Sequence, residues 1–257
     1  MSPHDQWIAF LTLVTKEVRR FMRIWSQTLL PPVITMVLYF VIFGSLIGRK
    51  IGQMEGFDYA TFVAPGLIMM SVLTNSYSNV VSSFFGTKFS RCIEEVLVSP
   101  TPNYVILLGY VIGGVSRGLI VGLFVSLVSL FFTEIQIHNL AIVILTVTLT
   151  AVLFALAGLV NGVFARNFDD INIVPTFVLT PLTYLGGIFY SISLLPPFWQ
   201  VVSKFNPILY MVNAFRYGFL GISDINVAWA LSMICAFIVG LVCVALYLLE
   251  NAKGLRS

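Results

Sequence analysis

The sequence predicts an all-α integral membrane protein with six transmembrane helices, and three observations predict it. The 257 residues are 58% hydrophobic and only 10% charged, with a mean hydropathy of +0.97. A soluble domain carries about 25% charged residues, so this chain has no polar coat for a water-facing surface. Its charges gather at the ends of long uncharged stretches: 24–48, 59–87, 135–165, 171–203 and 225–249, with another at 96–133 broken only by Arg117. Each exceeds the ~20 residues that carry a helix across hydrocarbon. Runs such as 119–132 do not alternate apolar with polar residues, which excludes a transmembrane barrel and leaves helices.

The elements follow in order. Residues 4–25 form a basic amphipathic helix: Trp7, Leu11, Val14, Val18, Phe21 and Trp25 recur at steps of three and four, with Lys16, Arg20 and Arg23 on a second face. Cations opposite Trp and Phe suit a helix lying in the inner-leaflet headgroup layer; packing of the stripe on the protein itself is the alternative. The spans are expected near 28–48, 60–84, 108–132, 140–164, 171–190 and 227–249. The first apolar run is too long for a signal-peptide core and has no A-x-A-like site after it, so that span is expected to be retained.

An even number of spans puts both termini on one side. With that side cytoplasmic, Lys16, Arg19, Arg20, Arg23, Lys88, Arg91, Arg166, Lys253 and Arg256 lie inside, against Arg49, Lys50, Lys204 and Arg216 outside. The excess follows the positive-inside rule and sets both ends in the cytoplasm.

Spans two and three are joined by GTKFSRCIEEVLVSPTPN at 86–103. Phe89, Ile93, Val96 and Leu97 share a helical face, Arg91 stands three and four residues from Glu94 and Glu95, and Pro100 and Pro102 end the element. A solvated connector is one reading of this charged helix, but a connector has little use for an apolar ridge, which favours docking.

Span three carries Gly109, Gly113, Gly114, Gly118 and Gly122, and span four Ala151, Ala155, Gly158 and Gly162. Small residues at this spacing let helix backbones approach, so the two spans are expected to pack together. Arg117 is the one charge within a span. A start near Val111 would bring it within reach of the inner interface by snorkelling; otherwise an intramembrane cation marks function.

Two uncharged polar stripes stand out: Ser71, Asn75, Ser78, Asn79 and Ser82 in span two, and Asn172, Thr176, Thr180 and Thr183 in span five. Such stripes either bridge helices or line a wettable path, and Asn75 and Asn79 are the foremost candidates. After span five, 194–221 is rich in aromatics, interrupted by Pro207, and carries Lys204 and Arg216. It is too apolar for a free loop and too broken for a crossing, so two short outer-leaflet helices are expected to cap the outer end of a path.

The missing chemistry excludes other classes. A net charge of +3 gives no nucleic-acid footprint. Cys92, Cys235 and Cys243 suggest neither a staple nor a zinc site. His4 and His138 lie outside the spans, and neither Glu94–Glu95 nor Asp169–Asp170 has further ligands spaced for a metal. No lysine follows a glycine, so there is no G-x-x-x-x-G-K-[ST] phosphate loop, and this chain holds no cofactor by that route. The spans also lack the Asp, Glu or His of ion relays.

The motifs RFMRIW at 20–25, PPVITM at 31–36, PGLIMMSV at 65–72, IEEVLVSP at 93–100, NGVFA at 161–165, LTPLTYLGGIFYSISLLPPFWQ at 179–200 and NPILYMVNAFRYGFLG at 206–221 resemble the ABC-2 family of transport permeases, with the type V exporter fold, as found in bacterial inner membranes. The resemblance covers nearly the whole chain and implies a single ABC-2 transmembrane domain over 1–257. It implies a homodimer pairing with two copies of a separate ATP-hydrolysing subunit, which would hold ATP and Mg²⁺. It further implies a coupling helix at 88–99 using Arg91, Ile93, Glu94, Glu95 and Leu97. The path would be lined by Asn75, Asn79, Thr176, Thr180 and Thr183, with an outer gate at Phe198, Trp199, Tyr210, Phe215 and Arg216. The substrate would be amphiphilic, lipid-linked or drug-like, with membrane lipid as a partner. The rival readings are a polytopic enzyme acting on lipid, with Arg117 or Arg216 as a phosphate clamp, and a passive channel.

Overall fold

The computed structural model describes residues 1–134 and 137–251, and at Ser45 and Leu97 it describes the backbone alone. Lys253 and Arg256, two of the basic residues assigned to the inside, therefore lie outside the described residues. The chain is mainly helical. A capping box opens α1 (Pro3–Arg23): Ser2 Oγ accepts from the Asp5 amide while Asp5 accepts from the Ser2 amide. The helix stops at Ile24, and α2 (Trp25–Tyr39) starts at once. It carries Pro31–Pro32 and continues through a π-helical segment, Phe40–Ile47, into α3 (Gly48–Ile51). A two-residue ribbon of β1 (Gln53–Met54) and β2 (Phe57–Asp58), outside the all-helical expectation, turns the chain back.

The centre is α4 (Tyr59–Phe89), 31 residues long. It buries Phe62, Leu67, Met69, Val72, Tyr77, Val80 and Phe84 against neighbours on several sides, and a helix enclosed in this way is a core helix. It ends at Ser90, and Arg91 takes a left-handed conformation (φ 61°) that breaks the helix before α5 (Cys92–Val98). The cytoplasmic helix expected over 88–99 is therefore only seven residues long. Lys88 and Phe89 belong to α4, so Phe89 cannot share a face with Ile93.

Pro102 holds extended backbone as the residue before α6 (Asn103–Ser129). That start, well before Val111, overturns the placement of Arg117 near an interface: Arg117 is 14 residues into the helix, about 21 Å from its beginning. Next come α7 (Leu140–Phe164), capped by Asn139, and α8 (Asp170–Val174), a π-helical turn at Pro175–Leu179, and α9 (Thr180–Leu185). Two further short helices, α10 (Pro197–Lys204) and α11 (Pro207–Leu220), precede α12 (Val227–Glu250). Asparagine side chains cap the starts of α11 and α12 as well: Asn206 accepts from the Ile208 amide, and Asn226 from those of Ala228 and Trp229. Gly221, at φ 74°, closes α11.

Among the described residues four helices are long and apolar enough to cross a membrane: Trp25–Ile51, Asn103–Ser129, Leu140–Phe164 and Val227–Glu250. Two of the six expected spans are absent from that set for physical reasons. The polar residues of α4 dilute its apolarity, and Pro175 and the π turn cut residues 170–185 into short pieces.

The glycine-rich faces do not serve mainly to join α6 to α7. Gly113 faces α1, where an added methyl would lie 2.5 Å from Glu17 Cβ, and Gly158 faces α4, where it would lie 2.5 Å from the Tyr77 carbonyl oxygen. The small residues let α1 and α4 approach, and α6 and α7 are brought together around α4.

Candidate functional site

Over three turns, one side of α4 meets two arginines and a carboxylate. Asn75 donates to the Ser71 carbonyl at 3.0 Å and accepts from Arg117 Nη2 at 3.2 Å. One turn on, Arg20 Nη2 donates to Asn79 Oδ1 at 2.8 Å and to the Asn79 carbonyl at 2.9 Å. A further turn on, Ser83 donates to Glu17 Oε1 at 2.8 Å. Glu17 is 1% exposed, with Arg20 Nε 3.4 Å from Oε2 and Lys16 Nζ 3.8 Å from Oε1. A buried carboxylate needs partners of this kind, because an unpaired one costs several kcal/mol.

The network corrects the reading of α1. Arg20, assigned to a polar face, points into the protein, and Phe21, assigned to the apolar stripe, is fully buried beside it. Trp7, Leu11 and Trp25 remain exposed. The inward face runs through Leu13 and Glu17 against Gly109 and Gly113. Glu17 and Ser83 were missed by the sequence reading; the signal was the match of positions 13 and 17 on α1 to two glycines four residues apart on α6.

Beside Asn75 lies an open cavity of about 340 Å³ between α2, α4 and α6, lined by Gln27, Thr35, Met36, Met70, Thr74 and Arg117 among others. On membrane-insertion scales a central arginine costs about 2.5–3.5 kcal/mol. Arg117 is bonded to Asn75, and its Nε has no hydrogen-bond partner among the described residues.

The remaining predicted residues separate. Thr183 is buried and donates to the Thr180 carbonyl, whereas Thr176 and Thr180 are exposed and Thr180 donates to the Pro175 carbonyl. The π turn rotates the stripe, so the three threonines do not form one face. On α5, Ile93 is 1% exposed and packs with Val80, Phe84 and Ile106, so it anchors the helix to its own bundle and is withdrawn from any partner. Glu94 and Glu95 are exposed, as is Val98 at 86%. Among the described residues Arg91 forms no ion pair with either glutamate. The side chain of Leu97 lies outside the described residues.

The candidates between α9 and α12 also divide. Phe198 and Trp199 are exposed and stack edge to face. Tyr210 is buried and donates to the Lys204 carbonyl at 2.6 Å, while Phe215 is buried against Phe219. Arg216, counted among the charges on the outer side, is 1% exposed: Nη2 donates to the Gly187 carbonyl at 2.6 Å, and the guanidinium lies 4.0 Å from the Phe62 ring centre. Phe198 and Trp199 are thus the surface, and Tyr210, Phe215 and Arg216 the interior, of this end.

Comparison with known proteins agrees with this architecture. The family model "ABC-2 type transporter" matches residues 8–220. The chain is 60% identical over 254 residues to "Inner membrane transport permease YadH" of Escherichia coli (strain K12), covering 99% of each. It is 24% identical over 204 residues to "Nodulation protein J" of Rhizobium leguminosarum bv. viciae, covering 79% of each. With the family model covering most of its length and a full-length relative at that identity, the chain belongs to the ABC-2 type transporter family, a family of transmembrane transport permeases.

Proposed function

We propose that this chain is the membrane permease of an ATP-binding cassette exporter, working as a homodimer with two copies of a separate ATPase. The observation that carries the reading is the open, partly polar cavity between α2, α4 and α6: a place for cargo at mid-depth in a member of a transporter family. The topology is six crossings, formed by α2 with its π segment, α4, α6, α7, the 170–185 segment and α12. The membrane is a bacterial inner membrane, the location carried by the name of the 60% identical relative, and both termini lie on its cytoplasmic side. In this orientation α1 lies at the inner leaflet, α5 presents Glu94, Glu95 and Val98 to the ATPase, and α10 and α11 gate the outer end.

The exposed apolar ridge of Ile34, Leu38, Ile42 and Leu46 along the first crossing supports a second copy as neighbour. ATP and Mg²⁺ belong to the ATPase; its closure drives α5 and, through the bundle, the helices around the cavity. The cargo is an amphiphilic, lipid-linked or drug-like molecule.

Co-expression with separate Walker-type ATPase subunits from the same genome tests the reading. A complex with two copies of each chain, whose ATP hydrolysis in proteoliposomes depends on this permease, is expected. Lipid turnover by the isolated chain overturns the reading in favour of an enzyme, and ATP-independent conductance overturns it in favour of a channel.

A further inference from the structure

We infer that the cavity at Arg117 binds the anionic head of an amphiphile. The inference rests on the permease reading and names the class of cargo or regulatory lipid that the cavity takes. Arg117 is a cation in the middle of α6 with no anionic partner: among the described residues both ion pairs end on Glu17, which Lys16, Arg20 and Ser83 already occupy. Its hydrogen bond goes to the neutral Oδ1 of Asn75, and Nε is left without a partner.

The cavity supplies what an oxyanion with an alkyl tail needs. Gln27, Thr35 and Thr74 offer polar groups around the guanidinium, and Met36, Met70 and Pro32 offer apolar wall. The volume of about 340 Å³ fits a compact head and the first part of a chain. A guanidinium is suited to phosphate or carboxylate because its N–H groups form a planar fork. In a poorly hydrated setting that pairing is much stronger than in water.

The other buried guanidinium makes the contrast. Arg216 lines a cavity of about 310 Å³ that also holds Glu55 and Asp224, so carboxylates of the chain itself share that space. Among the described residues no carboxylate lines the Arg117 cavity.

The test is equilibrium binding of radiolabelled dodecyl phosphate to the full chain in phosphatidylcholine nanodiscs, with empty discs subtracted. Saturable binding is expected, displaced by unlabelled dodecyl phosphate at a concentration at least tenfold below that required of dodecanol or inorganic phosphate. Arg117→Gln is expected to weaken binding at least tenfold. Asn75→Asp places a carboxylate where the amide now meets Arg117, and is expected to abolish binding in a folded chain; it decides the matter even if Arg117→Gln fails to fold. Equal binding by wild type and folded Arg117→Gln, or undiminished binding by Asn75→Asp, overturns the inference. Displacement by inorganic phosphate as readily as by dodecyl phosphate overturns it too, because the site would then recognise a free anion. None of these readouts needs the ATPase, so the inference fails separately from the permease assignment.

Discussion

Arg20 grips Asn79 twice through one nitrogen, at the side-chain oxygen and at the backbone carbonyl, across 59 residues of sequence. The carbonyl contact fixes α1 to the backbone of α4, one turn from the asparagine that meets Arg117. The helix expected to float in the headgroup layer is therefore pinned at a charged point, and displacement of α1 either carries Asn79 with it or breaks both bonds.

Glu17→Ala tests the pin. The substitution removes the partner of Arg20 and Ser83 and leaves a cavity beside Gly113. Breaking a fully buried pair costs about 3–5 kcal/mol; the Arg20 side chain is 31% exposed, and screening reduces this to about 2 kcal/mol. For a chain of this size that is a fall of roughly 5 °C in unfolding midpoint. Glu17→Gln, which retains an acceptor for Ser83, is expected to lose less. Thermal unfolding of the purified chain reads both, and a midpoint unchanged in Glu17→Ala counts against the pin.

The packing of α7 on α4 makes a second prediction. At Gly158 an added methyl would sit 2.5 Å from the Tyr77 carbonyl oxygen, a backbone atom that cannot swing aside. Gly158→Ala is expected to destabilise by about 1–3 kcal/mol. At Gly86, also helical, an added methyl would meet no described atom within 4 Å beyond its own stretch of helix, and Gly86→Ala is expected to stabilise by about 0.5–1 kcal/mol through helix propensity. Paired unfolding midpoints measure the difference, and equal midpoints would refute the close approach.

What was legible in the sequence was what chain-local physics decides. The uncharged run 135–165 was enough to locate α7, because hydropathy acts within one element. Pairings between elements were not legible. Arg20 lies beside the buried Phe21 on a helix that also carries exposed apolar residues, Trp7 and Leu11, so its periodicity cannot say which cation turns inward. Only the glycines of α6, Gly109 and Gly113, each 96 residues further along than its partner, create the space into which Leu13 and Glu17 fit. The break at Arg91 was hidden because a non-glycine residue takes the left-handed conformation there, and the π turn after Pro175 changed the phase of an otherwise regular threonine spacing.

Lys88 makes a prediction about pH. Its ammonium donates to the carbonyls of Val163 and Ala165 at 2.6 and 2.8 Å, at the C-terminal end of α7. Burial pushes its pKa below the ordinary 10.5, Arg166 adds to the shift, and Asp170 opposes it. With the folded value below the unfolded one, the unfolded chain binds more protons between the two, so this group's contribution to stability rises with pH in that window. The stability of wild type relative to Lys88→Met is expected to rise as pH climbs toward 10.5. Unfolding midpoints of both chains across a pH series measure it, and a wild-type midpoint that falls relative to that of the variant contradicts the assignment.

The acidic pair on α5 makes the last prediction, which turns on separating docking from folding. Ile93 is buried among Val80, Phe84 and Ile106, so Ile93→Asp puts a charge into the bundle and is expected to lower the yield of folded chain. Glu94 and Glu95 are exposed and lack an ion-pair partner among the described residues, so reversing them costs the bundle little. Glu94→Lys with Glu95→Lys is expected to leave the unfolding midpoint within about 1 kcal/mol of wild type. It is expected to reduce recovery of the ATPase with the permease at least tenfold, because reversing both charges removes any electrostatic complementarity that an acidic α5 supplies to its docking surface. Co-purification at matched permease yield reads the effect directly. Full recovery of the ATPase would mean that α5 does not meet it through this pair, leaving Val98, an apolar residue of the same helix that is 86% exposed, as the next contact to test.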